Sequence, residues 1–558
     1  MEEPAAPVSP GQYSGFRAGP ALADRPVTQG NLDLVEHVQL ARQAFHNFFE
    51  RERLAVSWRE FLVIGLLVAL ADVTIYFGQG FAGYAAFLTA APLLVVLGAR
   101  TRQRGWQAAI VTLMLWAAAA RLVWCGNGLA FALGLMLLGC VSISLSGGTV
   151  YILDLLRFLG VLLPSGAAGV VTYGLWLKSL VGRWFRMPSL SHALAWLLPP
   201  IAAAVFLMIF VMANPDVVQW IDHKLTVLLQ EIERFLGDIV TSTLRVIFWM
   251  SIAWLSIGLL RPFIPPPGQE AGASAVGAEP QACEFYPAFR NTLQVLIVLF
   301  VAYLGFEFST LAFRVFPPKF HYSGYAHEGA AWLTVALALA TLTLSAMFRG
   351  PMLLDPRMPA LRRLAMVWAF LNLLLAVAVF NRLFIYIGFN GMTRMRVVGM
   401  LGISTVIAGL VLVVLKMWRG KSFAWVVRNQ AVALAMAVYL YAVLPVDTWV
   451  MSYNVRQVLR GNIPPCVQIM HHPTSPEGAL RLLPLLDNPD PMIREGITEF
   501  LFDTRQMLDS KKSTDWTGYQ IADTWLLKAL AHPSRRVTEK DFSPGAAGRL
   551  KLYTYQWY

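Results

Sequence analysis

Three ionisable residues stand inside apolar runs of this chain, where a soluble core would not place them: Asp72, Arg121 and Glu307. A charge at the centre of a bilayer costs ~2.5–3.5 kcal/mol on insertion scales, so such residues mark partners or sites. Tyr303, Glu307, Thr310 and Arg314 recur at i, i+4, i+7 and i+11, which puts them on one helical face. The segment PPKFHYSGYAHEG then brings Tyr325, His327 and Glu328 to the start of the next apolar run. In FNRLFIYIGFNGMTRMR, residues 380–396, Arg382, Tyr386 and Asn390 follow i, i+4, i+8, so one helix runs on until Asn390-Gly391 turns it. Thr393, Arg394 and Arg396 open the next helix. A helix N-terminus is already partly positive, so cations there call for an anion.

The chemistry expected is binding or transport of an anionic small molecule or lipid headgroup at an outward-facing polar site. Arg382, Arg394 and Arg396 would supply charge, Glu328 would orient them, and Tyr325, Asn390, Thr393 and Asn454 would give directional hydrogen bonds. Two plainer readings compete. Arginines at a membrane boundary also snorkel to lipid phosphate, and Asp72 with Arg121, or Glu307 with Arg314, would serve as internal ion pairs. An enzyme acting on a lipid-linked phosphate or sugar would use Glu328 or Asp447 as general base. No nucleophile-base pair singles that out. Cys466, His471 and His472 match no common zinc spacing, and His327-Glu328 lacks the HExxH pattern. Neither metal nor cofactor is expected.

Composition sets the elements that must hold these residues. Of 558 residues, 57% are hydrophobic and 14% charged, with 18 Trp, the profile of a multi-spanning membrane protein. The net charge of +12 lies in short clusters between apolar runs rather than on one basic domain, which argues against nucleic acid as partner and for topology signals. Four scattered cysteines suggest no disulfide framework. A third reading makes the chain a signalling or assembly protein whose 447–558 region docks a protein partner that the sequence does not name.

Apolar runs near 61–78, 80–99, 107–124, 128–146, 191–213, 243–263, 289–312, 329–347, 364–387, 397–417 and 426–446 give about eleven spans of a ~30 Å hydrocarbon layer. Residues 148–180 are apolar but broken by Asp154, Arg157, Pro164 and glycines, and read as interfacial or re-entrant. The expected organisation is a polar N-terminal arm with a surface helix (1–58), not a secretory signal, then a first bundle (61–263) and a Pro/Gly/Ala-rich linker (264–286). A second bundle (287–446) and a soluble helical tail (447–558) follow, the tail helices opening at Ser475-Pro476, Asp490-Pro491 and Asp515 in the manner of one HEAT-type unit. The fold class is therefore all-α. Basic clusters place the N-terminus in the cytoplasm and, with an odd number of crossings, the tail outside.

YAHEG (325–329), GMTRMR (391–396) and VDTWVMSYNVRQVLRGNI (446–463) resemble motifs of the bacterial multi-spanning proteins grouped as domain of unknown function family 4173. Tyr325, Glu328, Gly329, Gly391, Thr393, Arg396, Asp447, Asn454 and Val455 carry the match. His327 stands where that family commonly has arginine, Ala330 and Ala331 replace aromatics, and PPCVQ replaces an acidic, tyrosine-containing stretch. The resemblance implies no activity and a bacterial inner-membrane location.

Overall fold

In the computed structural model the described residues are 56–99, 105–148, 150–181, 243–261, 283–313, 322–348, 352, 355–472, 474–511, 515–532 and 537–557. They hold seventeen α-helices and no strand, as expected of an all-α chain. The N-terminal arm, most of the linker and the predicted span at 191–213 lie outside them.

The first half comprises α1 (Trp58–Ala71), α2 (Phe81–Gly98), α3 (Trp106–Cys125), α4 (Gly128–Leu145), α5 (Ile152–Val181) and α6 (Thr243–Leu260). Ser57 caps α1 through Arg59 N at 3.3 Å, and Asp72 begins a π-helical turn, Asp72–Tyr76, that extends it. The second half comprises α7 (Tyr286–Phe313), α8 (Tyr322–Met347), α9 (Met358–Asn390), α10 (Arg394–Arg419) and α11 (Phe423–Val443). Nine of the described helices are long and apolar enough to cross a membrane, which makes this a multi-pass membrane protein.

The two ends of the bundle can be told apart by their contacts. At one end, here the Glu60 face, Arg261 donates from Nε and Nη2 to Glu60 Oε2 at 2.8 and 2.7 Å. At the other, the tail face, Gln79 N donates to Thr517 Oγ1 and Gly126 N to Gln520 Oε1, both at 2.9 Å.

Length and apolarity alone would make α5 a span, yet its contacts stay near one face throughout. Tyr151, just before it, faces Arg428 in the early turns of α11; Leu155 and Phe158 pack at Gly139, six residues from the end of α4. The carbonyl of Leu163 accepts from Trp254 Nε1 at 2.9 Å, Leu162 packs at Gly258, and Tyr173 donates to Glu60 at 2.5 Å. At ~1.5 Å per residue all of these lie within ~10 Å of the Glu60 face. A helix ~45 Å long therefore runs across the bundle rather than through it. It ends on the Glu60 face, whereas α6 starts on the tail face, where Arg245 reaches Asp72.

The tail contains α12 (Val446–Leu459), α13 (Cys466–His471), α14 (Pro476–Ala479), α15 (Pro491–Ser510), α16 (Ile521–Ala531) and α17 (Ala546–Thr554). Asp490 caps α15 as expected, accepting from Met492 N at 2.9 Å. Two expectations need correction. The helix foreseen from Pro476 lasts four residues before turns and a 3-10 stretch, Leu483–Asp487, replace it. Asp515 opens only a 3-10 turn, Trp516–Gly518, and α16 begins after Gln520. The tail core (Val455, Leu482, Ile497, Leu526, Leu550) includes Val397 of α10, so the tail and the second half share one apolar cluster.

Candidate functional site

The long helix α9 does run on to Asn390, and Gly391 ends it at φ +84° and ψ −172°, a conformation essentially restricted to glycine. Asn454 of α12, fully buried, locks the turn: its Oδ1 accepts from Met392 N at 2.6 Å and its Nδ2 donates to Met392 O at 2.9 Å. Thr393 then caps α10, its hydroxyl accepting from Arg396 N at 3.2 Å. No partner is described for the Asn390 side chain.

The arginines at this turn diverge, because residues two apart on a helix do not share a face. Arg396 folds back, donates to the carbonyl of Gly391 and stacks over Tyr386 at 3.9 Å. Its cation thus meets the negative end of the α9 dipole, which offsets the disfavoured position at the start of α10. Arg382 is buried against Glu307, donating from Nε to Oε1 at 2.5 Å and from Nη2 to Oε2, while the Tyr303 hydroxyl donates to Oε2 at 3.2 Å. The side chains of Thr310, Arg314, Tyr325, His327 and Glu328 lie outside the described residues.

Arg394 points the other way and forks Asp447, Nε to Oδ1 and Nη2 to Oδ2, both at 2.5 Å. Ser475 N adds a bond to Oδ2 at 3.0 Å. Burial pushes the Asp447 carboxyl up, but Arg394 and Ser475 outweigh it and hold the group below its ordinary value. Two residues further along the tail, fully buried Glu477 is forked by Arg121 of α3, Nη1 to Oε2 at 2.5 Å and Nη2 to Oε1 at 2.8 Å, with Trp124 Nε1 donating at 2.7 Å. Asp72 pairs with Arg245 (Nε to Oδ1, 3.0 Å) and Trp249 (Nε1 to Oδ1, 2.8 Å). The pairing of Asp72 with Arg121 considered from sequence is therefore replaced by Asp72–Arg245 and Arg121–Glu477; Glu307 pairs with Arg382, while Arg314 lies outside the described residues.

Between the two tail clamps lies a cavity of about 240 Å³, at the seam where α3 and α4 of the first half meet α10 and α11 of the second. Arg121, Arg394 and Asp447 line it with Asn127, Tyr441 and Cys125. Each fork leaves donors over. Arg394 keeps Nη1 outside its fork and its side chain is 41% exposed. Arg121, 10% exposed, has a buried Nε with no hydrogen-bond partner among the described residues. The exposed Arg394 can thus donate to an oxyanion from Nη1 without breaking either clamp, while the Arg121 Nε is closed off from the cavity.

Sequence reading missed Glu60, Arg261, Tyr173, Arg245 and Glu477. Opposite charges at span ends on one face signal Glu60 with Arg261. Nothing in the sequence signals Glu477, a first-turn residue of a four-residue helix. Among the described residues no group of three His, Cys, Asp or Glu side chains could hold a metal.

The family model that matches is described as a domain of unknown function, DUF4153, over residues 60–473. It is not the numbered family that the three motifs resemble, although both are domains of unknown function. No curated protein and no solved structure matches. The match begins at the buried Glu60, runs through both halves of the bundle and ends just before the Ser475–Glu477 segment that closes the seam; with well over half of its length inside that match, the chain belongs to the DUF4153 family.

Proposed function

We propose that this protein binds an anionic group, free or carried by a lipid, in the seam cavity of the tail face. The observation that carries the reading is Arg394, whose fork to Asp447 leaves Nη1 over and whose side chain is 41% exposed at a cavity that Arg121 also lines. A guanidinium donor outside its fork gives a further charge-assisted hydrogen bond to a ligand oxygen. Basic residues on the Glu60 face (Arg59, Arg357, Arg362, Arg363, Arg419, Lys421, Arg428) support a cytoplasmic Glu60 face and an outward-facing site in a bacterial inner membrane.

Cys125 lines the same cavity and reports on its occupancy. In a Cys283→Ser background, labelling of Cys125 by a small thiosulfonate should slow as inorganic phosphate or phosphatidylglycerol is added. Arg394→Lys, which keeps the charge but loses the planar fork, should abolish that protection. A labelling rate indifferent to both probes would refute the reading.

A further inference from the structure

The seam cavity has two kinds of wall. Arg121, Arg394, Asp447, Asn127 and Tyr441 make one; Leu129 and Leu444 make the other. Leu129 lies in the first turn of α4 and is 40% exposed while lining the cavity, so the cavity reaches the molecular surface there. That surface is apolar. Met136, seven residues along the same face of α4, is 42% exposed, and the two continue as a stripe on a helix apolar enough to span the bilayer. The cavity is also smaller than the ~300–1,000 Å³ pockets that enclose a whole ligand of moderate size. It suits a headgroup whose remainder stays outside.

We infer that the ligand is a membrane lipid with a phosphate in its headgroup, which enters sideways past Leu129 and leaves its acyl chains along the Leu129–Met136 stripe. The inference rests on the proposed anion reading and adds the class of ligand and its route. Arg394 Nη1, outside its fork, meets a phosphate oxygen, with Arg121 and Asn127 lining the same cavity. The clamps to Glu477 and Asp447 stay closed, so the tail need not move.

The test uses full-length protein with Cys283→Ser in maltoside micelles, free of phospholipid, and reads Cys125 labelling. Dioctanoyl phosphatidylglycerol is compared with glycerol 3-phosphate, which has the phosphate but no chains. The lipid should protect at concentrations at least about tenfold lower, a difference of ~1.4 kcal/mol. Leu129→Trp, which closes the lateral opening without touching a polar group, should remove protection by the lipid. Equal protection by both probes would overturn the lipid assignment while the anion site stands; no protection by either would overturn the anion site itself. Protection by lipid that survives Leu129→Trp would overturn the route. Should Leu129→Trp not fold, a chain-length series on the Cys283→Ser protein decides: protection that fails to rise from glycerol 3-phosphate through dibutanoyl to dioctanoyl lipid overturns the inference.

Discussion

Glu477 and Arg121 form a pair in which the carboxylate is fully buried and the guanidinium nearly so. Replacing one partner of such a pair leaves an uncompensated charge and costs ~3–5 kcal/mol, whereas an apolar replacement of both is often tolerated. Glu477→Gln should therefore expose the tail to proteolysis at temperatures where wild type resists, and Glu477→Leu with Arg121→Met should restore much of that resistance. His472 makes a pH-dependent contribution of known sign. Burial first, then the cations Arg396, His471 and Arg394, hold its imidazole below the ordinary 6.5. The unfolded chain takes up that proton first, so stability is full above about pH 6.5 and falls as the pH drops below it. The protection of tail amides, with the intrinsic pH dependence of exchange divided out, should fall from about pH 7 to pH 5.5 in wild type and less so in His472→Gln. Sequence located Asp72, Arg121, Glu307 and the arginines of the 380–396 segment, because a charge among apolar residues is visible locally. Their partners were not legible, since they come from elements as much as 356 residues away.

At the scale of elements, most spans were readable because a run of about twenty apolar residues has few other uses. The α5 helix shows the limit, for apolarity measures affinity for hydrocarbon and not orientation within it. Leu156, Leu163 and Val170 recur every seven residues on its exposed side. Spin labels at the three positions should report nearly equal depth in the bilayer. A steady change across the three, by ~10 Å per seven residues, would mean that α5 crosses it. The turn between α9 and α10 was legible from Asn390-Gly391, yet its lock was not. A Cβ at Gly391 would come 2.6 Å from Asn454 Oδ1 and 2.9 Å from Pro465 Cβ. Gly391→Ala should therefore cost ~1–3 kcal/mol in backbone strain alone and detach Asn454 from Met392, measured as a lower thermal midpoint.

For the molecule as a whole, the two faces differ in what they carry: basic span ends on one, a folded helical tail on the other. An export-dependent reporter fused after the last residue should be active and a cytoplasmic one inactive. The reverse pattern would invert the orientation and place the seam cavity inside the cell. The tail also joins the halves, holding α3 through Glu477 and α10 through Asp447. Those clamps have very different histories. Arg394 waits 53 residues for Asp447, roughly 3–11 s at the ~5–20 residues per second of translation, whereas Arg121 waits 356 residues for Glu477, roughly 20–70 s. Throughout that interval the ribosome is still delivering the rest of the first half and then the second, and α3 is already in or beside the membrane with a cation whose counter-charge does not yet exist. The nascent first half is thus a long-lived intermediate that something else must hold, whether water in the open seam, lipid phosphate or a membrane insertase.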